Sequence, residues 1–203
     1  MSDHLGLERL YDSRVDLYGY DPRSVGWKST EQQMLRFKKL LEFTTCRSMS
    51  VMDLGCGFAD LLDYLDNRKM NPSSYVGIEI SQNMIEFAMA RYENRPATSF
   101  IKSNFMSYDP TDTDIIFASG SLNYVTEIDK YFYLDLFLRK YASVCRKGLF
   151  FNLLTDKVDF QQPQHNHYNP KIVETMVLEY FKDYTISENY GLYEFTVSAW
   201  RDK

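Results

Sequence analysis

Cysteine and histidine are scarce, with three of each among 203 residues. Cys46, Cys56 and Cys145 show no C-x-x-C spacing, and His4, His165 and His167 do not complete a zinc-ligand pattern. A disulfide framework and a structural zinc site are therefore excluded, and the sparse, odd thiol count fits a reducing compartment. Long Lys/Arg runs are also missing, and the net charge is -5. A protein that lives on nucleic acid needs phosphate neutralisation, so that partner is not expected. No apolar run reaches membrane-spanning length. The opening "MSDHLGLERLYDSR" is polar and carries acids, unlike a signal peptide. These absences together predict a cytoplasmic protein without a membrane partner.

Hydrophobic residues make up 44% of the chain, enough for a packed domain rather than a disordered one. Residues 1–28 read as irregular and Tyr-rich. A helix is predicted over 30–43, with Ser29 or Thr30 as cap. Strands and helices then alternate: strand 48–54, helix 59–69, strand 74–80, helix 82–94 capped by Ser81, strand 98–104, strand 113–119, helix 128–147, strand 149–155 and helix 170–181. Two alternating runs flank Asn189–Gly191 and read as a hairpin. The order predicts an α/β fold: one Rossmann-like domain with a mostly parallel seven-stranded sheet and helices on both faces. The hairpin closes the sheet antiparallel. Residues 1–45 would form an N-terminal helical lid and 46–203 a ligand-binding core.

The first strand runs into "VMDLGCGFADLLDYL" (51–65), a glycine turn that opens a helix. Ligands of open α/β sheets bind beyond the carboxyl ends of the strands, which makes this loop the default site. A triphosphate loop needs Gly-Lys-Ser/Thr, yet no Lys occurs between Arg47 and Lys69. A dinucleotide turn needs a third glycine, where this chain has Asp60. A carboxylate there would repel a pyrophosphate and spoil the advantage of the helix N-terminus. Asp53 adds negative charge before the turn, so the loop suits a ligand that is not strongly anionic.

S-adenosylmethionine meets that description, with a sulfonium, an ammonium and one carboxylate. In "VMDLGCGFAD" the chain resembles the class I S-adenosylmethionine-dependent methyltransferases, over about residues 48–201. Their first motif is a strand, an acid and Gly-x-Gly, met here by Asp53, Gly55, Cys56 and Gly57, with Ala59 where a third glycine is common. The resemblance implies that Glu79, at the end of "YVGIEI", accepts the ribose hydroxyls. Ile80, Ser81 and Met84 would flank the adenine, Met84 being equally a core residue. Asn104 would meet the adenine amino group and Phe105 would pack on the ring. Ala118, Ser119 and Gly120 would lie beside the methionine part. Base-modifying amino methyltransferases carry Pro-Pro-aromatic at that last position; "SGSLNY" here points away from nucleic-acid bases.

Small-molecule methyltransferases of this class often cap the cofactor with an N-terminal segment. Trp27 is then a face against the cofactor, or else a packing staple. Arg36 is a partner for the cofactor carboxylate, or else part of a solvated helix face. Tyr11, Tyr18 and Tyr20 are candidate walls of an acceptor pocket. A hydroxyl acceptor needs a base, for which His165 and His167 are candidates; an exposed flexible loop is the competing reading. Tyr168, Asn123 and Tyr124 are further polar groups expected near the acceptor. The leading expectation is an S-adenosylmethionine-dependent methyltransferase for a small-molecule acceptor. A protein-directed methyltransferase and a non-catalytic cofactor-binding scaffold are the alternatives.

Overall fold

The computed structural model describes residues 3–201. Its order is α1 (Asp3–Tyr18), α2 (Thr30–Leu40), β1 (Ser50–Leu54), α3 (Asp60–Asn67), β2 (Ser74–Glu79), α4 (Gln82–Arg91), β3 (Thr98–Lys102), β4 (Thr113–Ala118), α5 (Lys130–Val144), β5 (Cys145–Leu154), α6 (Pro170–Leu178), β6 (Asp183–Ser187) and β7 (Glu194–Trp200). The strands form one sheet of order β3-β2-β1-β4-β5-β7-β6. Strands β1 to β5 pair in parallel, and β7 enters antiparallel between β5 and β6. The expected seven-stranded sheet with its closing hairpin is present. The chain winds outward from β1 to β3 and then returns to place β4 on β1's other side. That reversal opens the crevice where ligands of such sheets lie.

Alternation along the central strands feeds two cores. On β4, Ile116 and Ala118 face one way, toward Phe137 and Tyr141 of α5 and Val173 of α6. Ile115 and Phe117 face the other way, toward Phe37 and Leu40 of α2 and Leu62 of α3. Caps set the helix starts. Ser29 accepts from the Gln32 amide, Ser81 from Met84, and Asp129 from Tyr131 and Phe132. Asn169 caps α6 ahead of Pro170.

Two sequence expectations change. Residues 3–18 are helical rather than irregular. This helix docks through polar contacts, which leave no apolar stripe to read. Asp12 accepts from the Ser81 hydroxyl at 2.5 Å, Asp16 accepts from the Asn83 amide group at 3.2 Å, and Glu8 pairs with Lys102 at 2.6 Å. The second change lies at the end of α5. Cys145 already pairs with Thr113 as a strand residue, so β5 starts four residues before the predicted 149. The basic residues Arg146 and Lys147 belong to the strand and not to the last turn of the helix.

Candidate active site

Beyond the carboxyl ends of β1, β2 and β4 lies a cavity of about 1100 Å³, counting its open mouth. Twelve of the fifteen residues predicted for the cofactor line it: Trp27, Asp53, Gly55, Cys56, Gly57, Glu79, Ile80, Met84, Asn104, Phe105, Ser119 and Gly120. Its charged lining consists of Asp53, Asp60 and Glu79, with no Lys, Arg or His among the lining residues. The glycine turn is tight. A Cβ on Gly55, whose φ is +76°, would lie 2.6 Å from the Ser121 Cβ. Ala59 adopts the left-handed conformation itself, φ 62°, at a position that glycine would fill without strain.

Glu79 holds this turn together. One of its oxygens accepts from the Gly57 amide at 3.0 Å, and the other accepts from Ile80 and Ser81 at 2.7 and 2.9 Å. Burial raises its pKa, and the three backbone donors oppose that. A carboxylate offers about four acceptor sites, so roughly one remains for a ligand hydroxyl. Asp53 accepts from the Tyr75 hydroxyl at 2.5 Å. Burial, reinforced by the charges of Glu79 and Asp60, pushes its carboxyl up to about 7. The Ser119 and Ser121 hydroxyls are buried without a hydrogen-bond partner. Both residues line the cavity.

Three predicted residues do not line this cavity. Ala118 is buried in the core against α5. The Ser81 side chain caps α4 and bonds Asp12. Arg36 donates from Nε to Glu194 at 2.8 Å and from Nη1 to the Gln32 carbonyl at 3.1 Å. Its guanidinium also stacks 3.8 Å from the Trp27 ring centroid. Glu194 meets Asn152, whose other amide atom accepts from the Gly120 amide at 2.6 Å. Gly120 lies directly under Trp27, closing a ring of contacts from the N-terminal segment to the β4 loop.

A second cavity, of about 1550 Å³ with its mouth, adjoins the first. The two share Tyr11, Val25, Trp27, Gly120 and Tyr124 in their walls. Asn123, His165 and His167 line the second. Asn123 is structural as well: its oxygen accepts from the Leu154 amide at 2.9 Å. His165 bonds the Gln162 side chain at 2.8 Å, and burial lowers its pKa, as do the charges of His167 and Arg14. His167 is 6% exposed, and its Nδ1 lies 2.8 Å from the Thr155 carbonyl. A carbonyl only accepts, so Nδ1 carries a proton, and Nε2 is buried and unpartnered. Tyr168 lines neither cavity; its hydroxyl donates to the Leu122 carbonyl at 2.9 Å. Tyr18 and Tyr20 lie outside both, Tyr20 bonding Asp60.

Sequence reasoning missed Gln33, Ser103, Ser121, Thr126 and Tyr133 in the first cavity. Of these only Ser121 follows a legible motif, as the residue after "FASG".

The acidic crevice at the carboxyl ends of β1 and β2, on a sheet closed by an antiparallel hairpin, defines a class of small α/β transferases. Residues 51–148 match the "Methyltransferase domain" family. The chain is 31% identical over 154 residues to "Putative methyltransferase Rv1506c" of Mycobacterium tuberculosis, covering 73% of this chain and 90% of that protein. Magnesium protoporphyrin IX methyltransferase from Synechocystis with bound S-adenosylmethionine superposes with a TM-score of 0.70 at 15% identity. The match covers 100% of this chain and 98% of that one. N-methyltransferase NodS from Bradyrhizobium japonicum in complex with S-adenosyl-L-homocysteine gives 0.67 at 15% identity, covering 98% of each chain. The chain belongs to the methyltransferase-domain family, with the fold of the S-adenosylmethionine-dependent enzymes.

Proposed function

We propose that the first cavity holds S-adenosylmethionine and that the second holds a small-molecule methyl acceptor. The observation that carries this is the first cavity's lining: three carboxylates, no basic side chain in the wall, and two serine hydroxyls without a hydrogen-bond partner. Of the carboxylates, Asp60 is paired with Arg91 at 3.0 Å, and Asp53 and Glu79 have no basic partner among the described residues. A phosphate-rich ligand is disfavoured by that set, and a sulfonium with an ammonium is favoured. Glu79 takes a ribose hydroxyl with its remaining acceptor site, and Asn104 and Phe105 meet the adenine. Asp53 lies toward the cationic part. Ser119, Ser121 and the Gly120 loop receive the polar tail, while Trp27 and Met84 supply apolar walls.

Bound S-adenosylmethionine supplies an activated methyl on a good leaving group. The protein's share is then to align the acceptor and exclude water. Trp27 and Gly120 stand in the wall common to both cavities, where alignment is set. Where the acceptor atom carries a proton, His167 is the base we assign to it, oriented by the Nδ1 bond to the Thr155 carbonyl. Residues 1–45 act as the lid of a 46–203 core, with α1 and the segment after it contributing Tyr11, Val25 and Trp27. That cover favours a metabolite over a polymer. Three buried, unpaired thiols fit the reducing cytoplasm. No helix among the described residues is long and apolar enough to cross a membrane. The overall negative charge disfavours nucleic acid.

Titration calorimetry with S-adenosylmethionine and, separately, with an oxidised nicotinamide dinucleotide tests the assignment. Heat is expected from the first alone. Silence at millimolar S-adenosylmethionine would overturn it.

A further inference from the structure

The second cavity carries charge of the opposite sign to the first. Its charged lining is Arg14, Lys28, Arg36 and Asp159, together with His165 and His167. Arg36 is already matched by Glu194. Arg14 and Lys28 have no ion-pair partner among the described residues. Three acids close to them in sequence are committed elsewhere. Asp12 and Asp16 bond Ser81 and Asn83, and Asp21 pairs with Arg23 at 2.7 Å. Asp159, in the loop after β5, lines the same cavity and is exposed, as Lys28 is. With Arg36 matched, Arg14 and Lys28 outnumber Asp159 in this lining, a local reversal of sign in a chain of net charge -5.

The apolar part of the same wall is aromatic. Trp27 and Tyr124 stand where the cavities join, and Tyr11 packs edge-on to Tyr124 at 5.8 Å. Arg14 sits over the Tyr11 ring, 5.5 Å from its centroid, half-buried on the same helix face. Phe160 and Tyr193 line the cavity while leaving most of their surface open to solvent, at 75% and 76% exposure. An aromatic body with a negative group at one end matches this arrangement.

We propose, resting on the assignment of the second cavity as the acceptor site, that the acceptor is an organic anion. It is a small molecule with an aromatic or apolar body and a carboxylate, sulfonate or phosphate. Arg14 and Lys28 hold the acidic group, and the body lies along Tyr11, Trp27 and Tyr124. These two cations select the acceptor and take no part in cofactor binding, since neither lines the first cavity.

The test uses the full chain saturated with S-adenosylhomocysteine and two matched fluorescent probes, 1-anilinonaphthalene-8-sulfonate and the neutral N-phenyl-1-naphthylamine. The wild-type protein is expected to prefer the sulfonate. The Arg14→Gln/Lys28→Gln double variant should lose roughly tenfold in sulfonate affinity while affinity for the amine is held. Raised ionic strength should weaken the sulfonate alone on the wild-type protein, a readout that needs no variant to fold. Equal affinity for both probes, no sulfonate binding, unchanged sulfonate affinity in the double variant, or no salt dependence would each overturn the proposal. Calorimetry with S-adenosylhomocysteine separates this from the parent reading: absent heat on the wild-type protein sinks the cofactor assignment itself, whatever the probes do.

Discussion

Replacing Gly120 with alanine probes the wall between the two cavities. The new Cβ would lie 2.2 Å from Trp27 Cη2 and 2.4 Å from Cζ2, where carbon atoms need about 3.5–4.0 Å. The indole must therefore swing by more than an ångström. It is anchored on one side by the Arg36 guanidinium at 3.8 Å and at its backbone by a bond to the Pro22 carbonyl at 2.8 Å. Losing the stack costs about 0.5–2 kcal/mol. The backbone adds about 1–2 kcal/mol, because φ at this position is +75°. Together these predict a loss of about 1.5–4 kcal/mol, or roughly 3–16 °C in Tm for a domain of this size. Urea titration by circular dichroism measures the loss. Fluorescence in a Trp200→Phe background isolates the Trp27 emission, which should shift to the red. The steric part vanishes in a Trp27→Ala background, where Gly120→Ala should cost only the backbone share. A coupling of about 0.5–2 kcal/mol is therefore expected from the double-mutant cycle. Equal costs in both backgrounds would refute the contact as the cause.

Three further outcomes follow from the site. Arg36→Met leaves the Glu194 side chain, 1% exposed, with only Tyr190 and Asn152, and should cost roughly 3–5 kcal/mol in urea titration; Arg36→Met/Glu194→Met should recover most of it. Asp53 is held near 7 when folded, against an ordinary value of 3.8, so the folded chain carries a proton that the unfolded chain lacks between those values. Its contribution to stability is full at low pH and is lost as pH rises through about 7, while affinity for a cationic cofactor rises over the same range; Asp53→Asn should flatten both curves. Glu79→Ala strands three backbone donors and should lower stability by roughly 2–4 kcal/mol along with cofactor affinity, whereas Glu79→Gln keeps one accepting oxygen and should cost less.

The sheet was legible because its strands carry their burial in the sequence. "VMDL", "GIEI" and "DIIFAS" are apolar wherever both faces are covered, and turn residues punctuate them. The glycine turn was legible by exclusion, through a missing lysine and a misplaced carboxylate. Helix α1 was not, because it is fixed by Asp12, Asp16 and Glu8 and no periodic apolar face betrays it. Arg36 shows a different limit. Its neighbourhood is set by Glu194, 158 residues away, and no local pattern distinguishes an arginine aimed at a ligand from one committed to strand β7. Tyr168 fails for the same reason, since its hydroxyl finds a carbonyl 46 residues upstream. Local motifs identify the residues of the cofactor loop because that loop is itself local. The second cavity draws on α1, the α2 approach, the β4 loop and the loop after β5, and its membership exists only after folding.

Arg36 also explains how one fold keeps two adjoining cavities at opposite charge. An arginine whose charge stayed free beside Trp27 would add its field to the wall common to both cavities and weaken the preference of the first for a cation. Glu194 cancels that field from the start of β7, so the guanidinium serves as a flat, neutralised platform for the indole. Asn152 then carries the same buried network to the Gly120 amide, fixing the loop on which the indole rests. The acids Asp53, Asp60 and Glu79 remain on one side of that partition, and Arg14 and Lys28 on the other. On this account the Arg36–Glu194 pair is kept for alignment more than for stability. Replacing both partners with apolar residues should therefore leave a folded protein whose methyl transfer is slowed more than its cofactor binding is weakened.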